Sequence, residues 1–458
     1  MMNKISDFQN VFFIGVAGAG MSAIAQYLKG IGKTVAGSDR YFHEGEYNKT
    51  KEQLETEGIQ CFIQDGSGIT DSTDLVVVST AIEDTVYEVV KAKELNIPII
   101  KRSELLALIA KSKKTIAVAG TSGKSTTSAM LYQILLDAQF EPSIISGAGL
   151  TSIIKQGKIG NAAVGKGEWL IIEADESDGS VVQYTPEIGL LLNIDKDHQE
   201  IDELLEIFQK FKDNTERLFI VNQSNPLAKT LSENPEHDFG FEDSEAGYNA
   251  IDFKQEGFHL SFKINDQLVS MNAIGQHSVE NATAAIAVAN QIGVDLETSA
   301  KSLAQYEGIY RRHQILGKKK DIWVIDDYAH NPAKCAASIR ACQPLAGRVI
   351  AWFQPHGYGP TRFLRNDFVE EISHALREQD EIWMSEIYYA GGSVTKDISA
   401  NDLLKDIENK GKKVKFVEDR THLLDELKKE LKAGDVLLLM GARDPSLEQF
   451  SQSIYEGL

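Results

Sequence analysis

The sequence predicts an α/β protein of three domains, each built on a largely parallel sheet, with Rossmann-like domains at both ends and a phosphate-loop domain between them. Three observations carry this expectation. The 458 residues allow about three domains at roughly 150 residues each. Short apolar runs bounded by Gly or Asp alternate with longer amphipathic runs, the rhythm of βαβ units. Two of the apolar runs lead straight into glycine-rich turns and then into helical segments, GVAGAGMSAIAQYL and GTSGKSTTSAMLYQIL.

The elements follow in order. Residues 11–16, 33–37, 75–79 and 97–100 read as strands separated by helical segments, and RSELLALIAKSKK leads to a new start at Thr115. The first domain is therefore expected over residues 1–110. TIAVAG, WLIIEAD and IGLLLNID are buried strands by composition, and a polar, alternating stretch near 238–273 suggests a small antiparallel insertion. This gives a central domain over 111–312. In the last third, DIWVIDD, RVIAWFQ, DEIWMSE, KVKFV and DVLLLMG repeat the rhythm, so a third doubly wound sheet is expected over 313–458.

Apolar residues at 42% and charged residues at 25% exclude a disordered or collagenous chain. The formal charge of −20 argues against nucleic acid or an anionic membrane surface as partner, because both need a basic face. An anionic ligand must then be held locally. The three cysteines, Cys61, Cys335 and Cys342, have no paired spacing, which fits a reducing cytoplasm and no zinc site. No stretch approaches the roughly 18 apolar residues of a membrane helix, and no long apolar core with a cleavage site opens the chain, so no membrane insertion is expected.

Gly15, Gly18 and Gly20 follow the first strand, where absent side chains let backbone N–H groups and a helix N-terminus approach a phosphate. The spacing GxxGxG departs from the dinucleotide GxGxxG, and tight packing would use the same glycines. Asp39, after the next strand, can accept hydrogen bonds from a nucleoside or cap the following turn. The sharper motif is GTSGKST: Gly120, Thr121, Ser122 and Gly123 form a shortened phosphate loop, Lys124 neutralises phosphates, and Ser125 and Thr126 open the helix. This makes the centre a phosphate-loop ATPase domain in which Ser125 can ligate magnesium. Two acidic strand ends support it, Glu173 with Asp175, Glu176 and Asp178, and Asp195 with Asp197 and His198. In a parallel sheet all carboxyl ends share one edge, so Glu173 and His198 can approach the loop and hold Mg2+.

GTSGKST, EADESD, NIDKDH, GQHSVENA, YRRH and DDYAHNP occur in an order that resembles the Mur ligases, ATP-dependent enzymes that build the peptide of the bacterial cell-wall precursor, over nearly the whole chain. The resemblance implies ATP and Mg2+ as cofactors, with UDP-N-acetylmuramate and an amino acid or short peptide as partners, in a monomer or homodimer. Lys124 resembles the phosphate-binding lysine, Ser125 and Glu173 resemble ligands of one magnesium, and His198 resembles a ligand of a second. His277 and Asn281 match residues near the adenine, with Ser278 where an asparagine is usual. Arg311 and Arg312 resemble the arginines before the third domain, and Asp327 and His330 the residues that bring that domain onto nucleotide and acceptor. On the sugar side, the motifs that match are GVAGAGMS (Gly15, Gly18, Gly20, Met21, Ser22), GSD (Asp39) and STAI (Ser79).

The implied chemistry is attack of the lactyl carboxylate on the γ-phosphate of ATP, giving an acyl phosphate that an amine converts to an amide. L-alanine is the acceptor implied first. A recycled tripeptide is the alternative, though ligases using it usually carry tyrosine where Ser177 stands. His330 and His356 are candidate bases for the amine, and residues 308–314 are the expected hinge. One departure stands out: where members adding alanine usually read HRYSRT or HRYTRT, this chain has His356-Gly357-Tyr358-Gly359-Pro360-Thr361. Two expected arginines are missing. Arg443, in MGARDP where glycine is usual, is the expected replacement, with Lys334 or Arg362 assisting.

Overall fold

The computed structural model describes residues 4–80, 82–176, 179–196, 200–242, 245–389 and 395–458. They form two compact units. One holds the chain as far as Asn249 together with Asn281–Ile309; the other holds Ala250–Glu280 and Tyr310–Leu458, and also Asp195 and Lys196.

The first unit contains two sheets. Strands β1 (Asn10–Ile14), β2 (Thr34–Ser38), β3 (Gln60–Phe62), β4 (Leu75–Val78) and β5 (Ile99–Lys101) form an all-parallel sheet in the order 3-2-1-4-5. Val11, Phe12, Phe13 and Ile14 are all buried, which is why the central strand reads as an unbroken apolar run instead of alternating. The strand order reverses between β1 and β4, so the crevice of a doubly wound sheet opens beyond their carboxyl ends. The helix Arg102–Ala110 then leads to the second sheet.

That sheet contains β6 (Lys114–Ala119), β7 (Ser143–Ile145), β8 (Ala162–Ala163), β9 (Trp169–Ala174), β10 (Ile188–Leu191) and β11 (Leu218–Val221), ordered 11-10-6-9-7-8. Only β8 runs antiparallel, against β7. One buried apolar cluster runs through both sheets, from Phe8 and Met21 to Phe208, Phe219 and Leu231. Asn161 ties the two together: its Nδ2 donates to Ala19 O at 2.8 Å and Ser22 Oγ at 2.9 Å, and its Oδ1 accepts from Gln26 Nε2 at 2.7 Å.

The short strand β12 (Phe239–Phe241) is followed by β13 (Tyr248–Glu256), β14 (His259–Ile264) and β15 (Gln267–Asn272). β13, β14 and β15 form the antiparallel meander expected from the alternating pattern, with Leu260, Phe262 and Ile264 buried on one face of β14. In the second unit, β16 (Gln314–Lys319), β17 (Ile322–Asp327), β18 (Val349–Gln354), β19 (Glu381–Met384), β20 (Lys413–Phe416) and β21 (Val436–Gly441) form a sheet ordered 16-17-21-18-19-20. All pairs are parallel except β16 with β17. Thus the predicted class, an α/β chain of three largely parallel sheets, is the architecture observed. No helix among the described residues is long and apolar enough to cross a membrane.

Candidate active site

At the crevice of the first sheet, Gly15 adopts φ +84°, a turn that glycine makes without steric cost. Its N–H donates to Ser38 O at 2.7 Å, and Gly18 N–H returns to Gly15 O at 3.2 Å. Gly20 lies under the Arg102 guanidinium, which leaves no room for a Cβ without movement. Asp39 is buried and braces the turn: Oδ2 accepts from Ala17 N–H at 2.9 Å and Oδ1 from Tyr41 N–H at 3.1 Å. The capping alternative raised by the sequence is therefore the contact seen. Ser79 stands half-buried at the end of β4, across the crevice from Gly15. Met21 and Ser22, on the first turn of the following helix, are buried. Met21 is 3% exposed and Ser22 1%, with the serine hydroxyl engaged by Ala19 O and Asn161.

The phosphate loop joins β6 to the helix Lys124–Asp137. Gly123, the residue before the helix, has φ +86°, and a Cβ there would collide with Asn281 Oδ1. Asn281 also accepts from Thr127 Oγ1 at 3.2 Å, so it packs on the loop and the first helical turn. From the other side Asn193, just past β10, acts as a clamp: its Oδ1 accepts from Ser122 N–H at 2.8 Å and Thr121 Oγ1 at 2.9 Å, and its Nδ2 donates to Ser122 O at 3.1 Å. One polar residue ending an apolar run is the only sequence signal for this role. Thr126 sits half-buried on the first turn.

Lys124 Nζ donates to Gly120 O at 2.7 Å and to Glu176 Oε2 at 2.6 Å, with Asp175 at 3.7 Å. Burial works against its charge, but Glu176 and Asp175 outweigh burial and hold the ammonium above its ordinary pKa. Burial pushes the Glu176 carboxyl upward against the pull of Lys124. Ser125 Oγ donates to Glu173 Oε2 at 2.9 Å, while Glu173 Oε1 accepts from Ser146 Oγ at 2.6 Å and Gly147 N–H at 2.7 Å. A hydroxyl and a carboxylate oxygen held this close suit a hard cation that takes its other ligands from water and phosphate, so the residues fit magnesium. His198, Asp197, Ser177 and Asp178 lie outside the described residues.

The third sheet brings a second group together at the carboxyl ends of β17, β21 and β18. Asp327 is buried and accepts from Ser338 Oγ and from His313 N–H at 3.1 Å. Burial raises its carboxyl, yet His313 and Arg312 outweigh that and leave it below the ordinary range. Arg312 lies over the Tyr328 ring at 4.7 Å. His277 stacks on His313 at 5.0 Å between ring centroids. Burial, helped by His313, pushes the His277 imidazole down to about 3.

The His330 Nδ1 lies 2.9 Å from Tyr328 O. A carbonyl only accepts, so Nδ1 carries the proton and Nε2 the lone pair. Burial, with Lys334, His356 and Arg312 adding to it, keeps this imidazole neutral well below its ordinary pKa. The His356 ring stands 5.6 Å away. Arg311 is committed to Asp326 at 2.8 Å and Gly441 O at 3.1 Å. Arg362, expected to assist the acceptor, is instead paired with Asp397 and donates to Thr395 O at 3.1 Å. Gly308, Arg311 and His313 all have positive φ, at +83°, +53° and +45°.

Doubly wound sheets with a lysine-bearing phosphate loop and a serine–carboxylate pair define a nucleotide-binding α/β protein. Comparison with known proteins then fixes the family. Profiles described as Mur ligase family, catalytic domain, as Mur ligase middle domain, and as Mur ligase, glutamate ligase domain match residues 10–114, 118–289 and 311–443. The chain belongs to the Mur ligase family. It is similar to the UDP-N-acetylmuramate--L-alanine ligases of Pelotomaculum thermopropionicum and Geotalea uraniireducens, at 33% and 34% identity, each over 95% of both chains. The solved structure of the UDP-N-acetylmuramate-alanine ligase of Thermotoga maritima matches with a TM-score of 0.77 at 26% identity, over 98% of both chains. A murein peptide ligase from Psychrobacter arcticus shares the fold, with a TM-score of 0.68 at 21% identity over 98% of both.

Proposed function

We propose that this chain is an ATP-dependent ligase that joins an amino acid, L-alanine, to the lactyl carboxylate of UDP-N-acetylmuramate, in peptidoglycan precursor synthesis in the cytoplasm. The observation that carries the reading is the phosphate loop: Lys124 is held charged 2.6 Å from Glu176, and the helix N-terminus beside it offers free backbone N–H groups. Full-length similarity to ligases of that name supports the choice of substrates. We further assign residues 1–110 to the UDP-sugar, 111–312 to ATP and 313–458 to the acceptor.

Each residue then has a task. Amides at the start of the helix, from Gly123 to Thr126, with the Lys124 ammonium, bind the phosphates of ATP and offset the charge of the transferring phosphoryl group, while Gly120, Thr121 and Ser122 shape the loop around them. Ser125 and Glu173 would hold Mg2+, which supplies further neutralisation of the phosphates when bound. His277, Asn281, Arg312 and Asp327 serve the nucleotide, and Gly15, Gly18, Gly20, Asp39 and Ser79 the UDP-sugar. The carboxylate takes the γ-phosphoryl group and ADP leaves. The amine attacks the acyl carbon, phosphate leaves, and Nε2 of His330 accepts the proton that the amine gives up.

Phosphate release with ATP, magnesium and UDP-N-acetylmuramate, measured against a panel of amino acids and short peptides, tests this reading. Release stimulated by L-alanine is expected. Release stimulated only by a tripeptide would replace it with the recycling reaction, and nucleotide binding without release for any acceptor would refute it.

A further inference from the structure

Arg443 follows β21 in a conformation that a side chain makes costly. Its φ is +61°, in the left-handed region where a Cβ crowds the backbone and glycine is favoured. Residues of this kind persist where the surroundings over-determine them, and they gather at functional sites. Here the loop is fixed on both sides of Arg443. Gly441 O accepts from Arg311 Nη2 at 3.1 Å, and buried Asp444 accepts from Ser446 N–H at 2.9 Å and pairs with Arg420. The Arg443 N–H itself donates to the Tyr328 hydroxyl at 3.4 Å.

The guanidinium, by contrast, is exposed and makes no hydrogen bond or ion pair among the described residues. Neighbouring arginines are already committed: Arg311 to Asp326, Arg362 to Asp397 and Arg420 to Asp444, while Arg312 covers Tyr328. The placement of Arg443 is also specific. Asp327 of β17 is in register with Met440 of β21, so His330 and Arg443 each lie three residues beyond one paired position on adjacent parallel strands. Tyr328 links them, its ring 5.6 Å from that of His330 and its hydroxyl on the Arg443 amide.

We propose that Arg443 is a specificity-determining residue that takes the α-carboxylate of the acceptor while His330 faces its amine. The inference rests on the ligase reading above. An α-amino acid carries amine and carboxylate on one carbon, and a base and a cation with paired donors at equivalent positions beyond adjacent strands suit that pairing of charge. After β18 the two positions where arginines are expected carry none: Gly357 has φ +71°, which disfavours a side chain there, and Pro360 lies in the first turn of the helix Tyr358–Phe363, whose Arg362 is paired with Asp397.

The test compares L-alanine with L-alaninamide in the phosphate-release assay of the full chain, for wild type, Arg443→Gly and Arg443→Lys. Glycine suits φ +61° better than arginine does, so Arg443→Gly should melt no lower than wild type. Its Michaelis constant for L-alanine should rise at least ~10-fold, as for loss of a charged hydrogen bond. The constant for ATP should stay within about twofold, and use of L-alaninamide should not change, because uniform effects mark a different cause. Arg443→Lys should lie between. Unchanged discrimination between L-alanine and its amide, or parallel rises for L-alanine and ATP, would overturn the inference alone. No amine-dependent release by the wild type would overturn the ligase reading, and this inference with it.

Discussion

The carboxyl edges of the second and third sheets treat charge in opposite ways. On the second, Lys124 is kept ionised by carboxylates that surround it, and Glu173 is held by three donors. On the third, the imidazole of His330 is kept neutral by burial with Lys334 adding to it, and that of His277, packed against His313, chiefly by burial. The first arrangement suits a site that receives anions, since the lysine can exchange one set of anionic oxygens for another. The second suits a site that receives a proton, since a neutral ring with a lone pair on Nε2 is a base. Similar strand ends thus suit different chemistry because their side chains sit at different balances of desolvation and charge.

The largest expected effect breaks the first arrangement. Lys124→Met should lower amide formation by about a thousandfold, the upper range for removing one preorganised donor to transition-state charge. The fold is affected too, because Glu176 is buried with a side-chain exposure of 6%. Stripping its partner should cost about 3 kcal/mol at pH 7, reduced to the extent that Glu176 protonates. Lys124→Met with Glu176→Gln should recover most of that stability in denaturant titrations and none of the activity. Recovery of activity in the double variant would show that Lys124 serves the fold and not the phosphates.

Next in size is Glu173→Gln. The amide can keep its oxygen on Gly147 N–H and Ser146 Oγ and turn its NH2 toward Ser125 Oγ, so the geometry survives while the charge is lost. Activity should fall by about 10²-fold, and half-saturation should need about 10-fold more magnesium. An unchanged magnesium response would put the cation elsewhere.

The two edges also differ in how far the sequence disclosed them. The phosphate loop was legible because strand, glycines, lysine and helix are contiguous, so local order alone specifies the site. The parallel architecture was legible for the same reason, from runs such as VFFI and VLLLM that are buried on both faces. β3 and β7 were not, and β16 was hidden because QILGKK is a polar, half-exposed edge strand with no apolar run. Asn193 and the pairing of Arg362 with Asp397 were invisible because both are contacts across sequence. The bond of Ser22 to Asn161 was equally invisible, being a contact across sequence. The left-handed φ of Arg443 leaves no mark in composition or periodicity.

A smaller effect is expected at the third sheet from His330→Ala, about 10²-fold on the amine step. Because burial holds this imidazole well below its ordinary pKa, the ratio of wild-type to variant activity should stay flat from pH 8 to 6 instead of collapsing near 6.5, the ordinary value. Added imidazole should restore part of the rate. A ratio that falls toward one by pH 6, with no rescue, would remove His330 from the role of base.

The smallest effect concerns stability, and it separates burial from catalysis. His277 has an imidazole pushed from 6.5 down to about 3, chiefly by burial. Between those values the unfolded chain binds a proton that the folded chain refuses, so stability is complete above about pH 6.5 and is lost as pH falls toward 3. Carboxylates titrate mainly below about pH 5. The interval from 6.5 to 5 therefore isolates the histidines, and His277→Asn should lose less melting temperature across it than the wild type does. His313 adds to the lowering of His277, so replacing this stacking partner, His313→Asn, should raise the pKa of His277 as read by NMR titration. Identical acid limbs for wild type and His277→Asn would mean that the ring is solvated in the folded chain, and the contrast between the two edges would then rest on His330 alone.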